Sequence, residues 1–184
     1  MSTRIEVRIP YEPGCLGKSY NDIMRDTKDW ALILDHDVYV ALNPHWYTMC
    51  QEAIEKVGHA AGWITCKTNR IGTTSSQRYR NPDYPYCKDP DDIVYHTTVA
   101  HRLYKQYGNT LIDFTKTGQF SGFFILTHKE AWSKAGGFVE IPGKFLGIDT
   151  AYYRAVRKAG YKLILMPGLY VYHIYNNKPR TFDK

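Results

Sequence analysis

Apolar Ile5, Val7 and Ile9 alternate with Glu6 and Arg8, a pattern that predicts a half-exposed strand. Trp30-Ala31-Leu32-Ile33-Leu34 is a continuous apolar run that stops abruptly at Asp35-His36-Asp37. A run this short, bounded by polar residues, predicts a buried strand rather than a helix. Between these strands Ser19 reads as the N-cap of a short helix ending near Thr27, with Asp22 in its first turn. Trp46, Met49, Cys50, Ala53, Ile54 and Val57 recur at helical spacing, with Asn43-Pro44 as the start signal and Gly58 as the stop. Residues 62–66 predict another short buried strand.

Residues 67–90 have no period and carry Gly72, Pro82, Pro85 and Pro90. A loop of that length in a compact domain is usually a functional lid or disordered. Residues 91–107 predict a helix with Val99 and Leu103 facing inward and Gly108 ending it. Residues 121–126 predict a buried strand. Thr127-His128-Lys129-Glu130 reads as a capping box that opens a helix closed by Gly136-Gly137. A further helix follows Asp149 and is closed by Gly160. Residues 162–166 and 169–175 then predict two strands split by a Pro167-Gly168 turn, before a polar tail over 176–184. Strands alternating with helices predict an α/β fold, and 184 residues fit one domain spanning 1–184.

Composition narrows the class only modestly. Apolar content of 43% and charged content of 23% are ordinary for a globular chain. No apolar run approaches the roughly 20 residues that cross a bilayer, and Met1-Ser2-Thr3-Arg4-Ile5 lacks the apolar core of a signal peptide. Cys15, Cys50, Cys66 and Cys87 show neither C-x-x-C pairing nor metal-ligand spacing, so reduced thiols in a cytoplasmic protein are expected. The net charge of +6 suggests an anionic partner. Nucleic acid, an anionic membrane and a nucleotide diphosphate all satisfy it. Sixteen tyrosines are many, and half-buried strand positions account for most of them.

The candidate chemistry begins at Asp35 and Asp37. At the C-terminal end of a strand the chain leaves the sheet, and both carboxylates can turn into one crevice, where open α/β sheets bind ligands. Hard carboxylate oxygens suit Mg²⁺ or Mn²⁺; an ordinary Asx turn is the competing reading. Gly17-Lys18-Ser19 is superficially like a P-loop, but Glu12 stands where the pattern needs its first glycine, so that reading is rejected. Arg78, Tyr79, Arg80, Tyr84 and Tyr86 interleave basic and aromatic groups. That pattern suits an acceptor-binding loop, a phosphate clamp, single-stranded nucleic acid or a solvated loop.

The order of parts becomes specific in the second half. Gly122-Phe123-Phe124-Ile125-Leu126-Thr127 leads through a helix to Gly136-Gly137-Phe138. Gly147-Ile148-Asp149, Arg154, Ala159-Gly160-Tyr161, Pro167 and Tyr172-His173 follow. Together with the D-x-D at Asp35 and Asp37, this resembles the GT-A glycosyltransferases, closest to the family 2 type. The resemblance covers roughly residues 10–173. It implies a Rossmann-like three-layer α/β/α fold with a mixed, mostly parallel central sheet. A nucleotide-binding half over about 1–66 would precede an acceptor and catalytic half over about 67–175.

The same resemblance implies roles for individual residues. Asp35, Asp37 and His173 would hold Mn²⁺ or Mg²⁺, with Asp37 in direct contact and Asp35 nearer the ribose or a metal-bound water. Asp149 would be the general base of an inverting displacement, although Ile148 stands where the family has Glu. Pro10, Tyr11, Lys18, Asn21 and His36 would contact the nucleotide sugar, a UDP- or GDP-sugar. Arg78, Arg80 and Gly122 would line the acceptor side. A satisfied strand-end histidine, a helix-start acid and a solvated lysine remain the competing readings for His173, Asp149 and Lys18. Only about 25 residues separate Ile9 from Asp35, so one or two strand–helix units of the family's nucleotide-binding half are absent. The Q-x-x-R-W signature of processive synthases is absent too, which implies single addition of a sugar to a glycan or other hydroxyl acceptor. The ordered match favours this over a metal-dependent nuclease or nucleotidyl transferase acting on nucleic acid. It also favours it over a sugar-nucleotide or glycan-binding module without turnover.

Overall fold

The computed structural model describes residues 3–10, 14–71, 76–80, 92–143 and 146–174. Tyr11, Tyr84, Tyr86 and the tail over 176–184 lie outside the described residues. The strands are β1 (Ile5–Arg8), β2 (Trp30–Leu34), β3 (Val38–Tyr39), β4 (Ala61–Thr68), β5 (Ile112–Asp113), β6 (Phe124–His128) and β7 (Lys162–His173). They form one sheet in the order β1-β2-β6-β4-β7-β3, with β5 also paired to β7. The helices are α1 (Leu16–Asp26), α2 (Trp46–Val57), α3 (Ile93–Tyr107), α4 (Lys129–Lys134) and α5 (Ile148–Lys158).

The sheet is mixed, as expected, but not mostly parallel. Strands β1, β2, β4 and β7 share one direction, yet β6 lies antiparallel between β2 and β4, and β3 and β5 run antiparallel to β7. Only the β1–β2 and β4–β7 pairings are parallel. An antiparallel central strand reads no differently in sequence, because burial on both faces produces the same unbroken apolar run.

Helices cover both faces. On one, Trp30, Leu32 and Leu34 pack against Met49, Cys50, Ala53 and Ile54 of α2. On the other, Ala31 and Ile33 pack with Tyr20 and Met24 of α1 and with Tyr152 and Val156 of α5. This double burial is why β2 reads as five consecutive apolar residues. Burying each such side chain contributes roughly 1.5–3 kcal/mol, which fixes the strand whose end carries the acidic pair. Helix α3 lies over the far end of β7, where Val99, Ala100 and Leu103 meet Tyr170 and Tyr172.

Four boundaries differ from expectation for identifiable reasons. Helix α1 starts at Leu16, before Ser19, and its N-cap Cys15 makes no side-chain cap bond. Its first turn is stabilised by burial instead: Gly17, Ser19 and Tyr20 are buried, and a Cβ at Gly17 would collide with the Val139 carbonyl. That close approach, rather than any phosphate, explains the glycine. Strand β6 begins at Phe124, because the Ser121 and Gly122 amides are already bonded to Gln77 and Asp149. The N-cap of α4 is His128, not Thr127. Thr127 still belongs to β6, and its hydroxyl is 2.6 Å from the Gly62 carbonyl and 2.9 Å from the Tyr152 hydroxyl. Finally, Pro167-Gly168 makes no turn. Strand β7 runs unbroken, with a register shift opposite Cys66 and Lys67. Gly168 is required there because a Cβ would meet the Gly108 carbonyl.

Candidate functional site

The parallel strands β2, β4 and β7 all end on one edge of the sheet, and the site is built there. After β2 the chain makes a tight turn in which the Val38 amide donates to the Asp35 carbonyl at 3.2 Å. It then pairs back onto β7, with Val38 opposite His173. This short β3–β7 pairing, invisible to periodicity over two residues, brings Asp37 and His173 together. His173 Nε2 lies 3.1 Å from Asp37 Oδ1, and one ligand atom each from Asp35, Asp37 and His173 fall within 4.8 Å of one another.

The histidine is held in the tautomer a metal ligand needs. Its Nδ1 is 2.9 Å from the Arg70 carbonyl, which can only accept, so Nδ1 carries the hydrogen and Nε2 faces the acids. Asn69 fixes the backbone on both sides: its Oδ1 accepts from the His173 amide at 2.8 Å and its amide donates to the His173 carbonyl at 3.2 Å. Asn69 is buried and was not anticipated, since nothing in a Thr-Asn-Arg loop signals its role.

The electrostatics follow from two carboxylates and an imidazole sharing a half-buried crevice. Burial, aided by the Asp37 charge, raises the Asp35 pKa against the opposing effect of His173. At Asp37 burial also raises the pKa, but the bond and charge of His173 outweigh it and the net shift is downward. Burial lowers the His173 pKa, and the Asp37 bond with both acid charges outweighs that to raise it. The crevice thus favours positive charge at Nε2, which a divalent cation would supply in place of the proton.

Asp149 opens α5 beside this centre. Its carboxylate accepts from the Thr150 amide at 2.7 Å and from the Gly122 amide at 3.1 Å. The next residue, Phe123, uses its carbonyl to accept from the Asp35 amide at 3.2 Å. Two consecutive residues therefore tie the metal-side acid and Asp149 to one turn. A Cβ on Gly122 would sit 3.2 Å from Asp149 Cβ, so a side chain there would press on Asp149. Tyr20, also unanticipated, stands between the acids. Its hydroxyl donates to Asp35 at 3.4 Å. Burial first, then the charges of Asp35 and Asp149, hold its pKa well above the usual phenol value.

The remaining sequence candidates divide. Pro10 is half-buried just beyond β1, and the Arg8–Ile33 register sets it level with Asp35. His36 is exposed between the acids, and its charge acts on both. Lys18 is exposed and pairs with Asp22 at 2.6 Å. Asn21 is committed to the fold. Its amide donates to the Phe138 carbonyl at 2.9 Å and to Glu140 at 2.7 Å, and its Oδ1 accepts from the Trp132 indole at 2.9 Å and the Phe138 amide at 2.8 Å. Those four bonds use its full capacity, leaving none for a nucleotide. Arg78 and Arg80 line a separate cleft against α3.

Asp29, His59 and His128 form a second convergence at the opposite end of β2. Its chemistry is less apt. His128 Nδ1 accepts from the Ala131 amide at 3.3 Å, so the neutral ring carries its proton on Nε2 and offers no second lone pair.

No protein-family model matches this chain, and no curated protein matches it. Among the described residues no helix is long and apolar enough to cross a membrane.

Proposed function

We propose that the protein is a metal-dependent, inverting glycosyltransferase of the GT-A type that adds single sugars from a nucleoside-diphosphate sugar to an acceptor hydroxyl. The observation that supports it most is the convergence of Asp37 and His173, 136 positions apart, with Asp35 at the end of a buried strand. Asp149 is tied to the same turn. The sequence pattern assigned these four residues to one reaction, and the β3–β7 pairing and the Gly122–Phe123 turn make them neighbours. A divalent cation held by Asp37, His173 and Asp35 would offset the charge developing on a departing nucleoside diphosphate.

The chain's own groups supply the rest. The Thr150 and Gly122 amides hold the Asp149 carboxylate in place, ready to take the proton of an acceptor hydroxyl as its oxygen bonds to the anomeric carbon. The bond from that carbon to the diphosphate breaks on the opposite face, so one displacement inverts the centre. Tyr20 keeps its hydroxyl proton and donates to Asp35, fixing the orientation of the more buried acid.

The test is thermal stabilisation by each nucleoside diphosphate with and without Mn²⁺, followed by turnover of the matching sugar nucleotide. A Mn²⁺-dependent shift is expected, lost in Asp37→Asn and retained in Asp149→Asn. Turnover in Asp149→Asn should fall by roughly 10²–10⁴-fold. Full turnover in that variant would remove the base assignment; no shift with any nucleotide would remove the transferase reading.

A further inference from the structure

A second concavity lies between the end of β4, residues 76–80 and α3. It encloses about 300 Å³, and four of its walls are cationic: Lys67, Arg78, Arg80 and Arg102. No acidic residue lines it among the described residues. Lys67 reports how the cleft treats charge. Its ammonium donates to the Ser76 carbonyl at 2.6 Å, and burial lowers its pKa, with no carboxylate among the described residues acting on it. A half-buried ammonium beside the exposed Arg78 and Arg80 favours an incoming anion, and guanidinium forks match oxyanion geometry in pairs.

The cleft is rigidly coupled to the proposed reaction centre. Thr68 bridges Arg78 in the ladder, its amide donating to the Gln77 carbonyl at 2.9 Å. Gln77 is fully buried. Its amide donates to Thr65 at 2.8 Å and to the Ser121 carbonyl at 3.1 Å, and its Oδ-equivalent oxygen, Oε1, accepts from the Ser121 amide at 2.7 Å. Ser121 adjoins Gly122, whose amide holds Asp149. The segment carrying Arg78 and Arg80 is thereby pinned to the turn that holds the proposed base.

We infer that this cleft binds an oxyanion carried by the acceptor, so that the acceptor is an anionic saccharide bearing uronate, sulfate or phosphate. The inference rests on the transferase reading for the word acceptor, while the anion site stands on the cleft itself. Its volume suits about one sugar unit with its charged group, at the lower end of small-ligand pockets. Gln106 and Tyr107 complete the lining with groups that can bond sugar hydroxyls. Single-stranded nucleic acid is less well served, because it needs aromatic faces open to bases. Of the two tyrosines lining the cleft among the described residues, Tyr79 is buried, edge-on to Tyr170, and Tyr107 is half-buried.

The test uses the full chain in EDTA without nucleotide, so that it is independent of the metal centre. Binding of a polygalacturonate oligomer, a heparin-derived oligosaccharide, a neutral maltooligosaccharide and a twelve-nucleotide single strand is measured by calorimetry. The expected result is binding of at least one anionic saccharide and not the neutral one. That binding should weaken at least tenfold in Arg78→Gln/Arg80→Gln, both exposed positions, and be unchanged in Asp37→Asn. Unchanged affinity in the double variant would overturn the proposal. So would tighter binding of the single strand than of either anionic saccharide. A tenfold loss of Mn²⁺-dependent nucleoside-diphosphate affinity in the double variant would assign the cleft to the donor and overturn it as well. Failure of the transferase reading has a different signature: anionic saccharide bound in EDTA, but no nucleotide shift with Mn²⁺.

Discussion

The Tyr20 hydroxyl donates to the Asp35 carboxylate at 3.4 Å from α1, a helix whose neighbouring residue Asn21 is wholly occupied by the fold. The contact places a permanent donor beside the more buried of the two acids. Hydrogen bonds to charged groups contribute roughly 1.5–3 kcal/mol, and this one is long, so the lower end applies. Tyr20→Phe should therefore reduce Mn²⁺-dependent turnover about tenfold while leaving circular dichroism unchanged. Equal turnover in Tyr20→Phe and wild type would show that Asp35 needs no such donor.

Asn69 acts on the site through His173. Removing its side chain unties both backbone groups of His173, although the Arg70 carbonyl still holds Nδ1. Loss of such supporting bonds typically costs metal affinity about 10–100-fold. Asn69→Ala should show a loss in that range by Mn²⁺ titration, with nucleotide affinity in EDTA unaltered. A variant that binds Mn²⁺ normally would make the clamp a purely structural device.

How much of this was legible in the sequence depends on the range of the signal. The apolar run before Asp35 and the helical spacing from Trp46 to Val57 are local, and both elements appear where they were expected. Asp35 and Asp37 stand out as the acids that end that apolar run, whereas His173 is singled out only because the order of parts resembles a family pattern. Their meeting depends on β3, which is too short for a period to register. Tyr20 and Asn69 had no local signal at all, since their roles exist only across contacts between distant segments. Asn21 poses a related problem, because its hydrogen bonds to the fold carry no local signal. Resemblance to a family segment before the D-x-D suggests ligand contact, and only the fold reveals Trp132 and Phe138 as its partners. The resemblance also could not convey strand direction, so the antiparallel β6 was missed.

Asn21 allows the two roles to be separated by stability. If it is a structural lock, Asn21→Ala leaves the Trp132 indole and the Phe138 amide without their acceptor. Each buried unsatisfied group costs roughly 1–3 kcal/mol, so a loss of about 3 kcal/mol is expected from the urea midpoint. Lys18→Ala on the exposed face of the same helix should stay within about 0.5 kcal/mol. A stable Asn21→Ala protein with weakened nucleotide binding would instead restore the ligand role.

His128 sets the acid side of the stability profile. It is fully buried, and burial, then His59, lowers its pKa to about 4, against the opposing charges of Asp29 and Glu130. The folded value lies below the unfolded one, so between them the unfolded chain binds the extra proton. Its contribution is therefore complete above the unfolded value near 6.5 and is lost as pH falls toward about 4. The shift corresponds to roughly 3 kcal/mol. His173 has the opposite sign. Its raised pKa makes its contribution complete below its unfolded value and lost as pH rises through the folded one. Urea unfolding in EDTA should thus show stability falling from pH 6.5 to pH 4 in the wild type. His128→Gln removes the titrating imidazole, so its slope in that window should be much shallower, whatever its absolute stability. An unchanged slope would place the acid sensitivity elsewhere in the molecule.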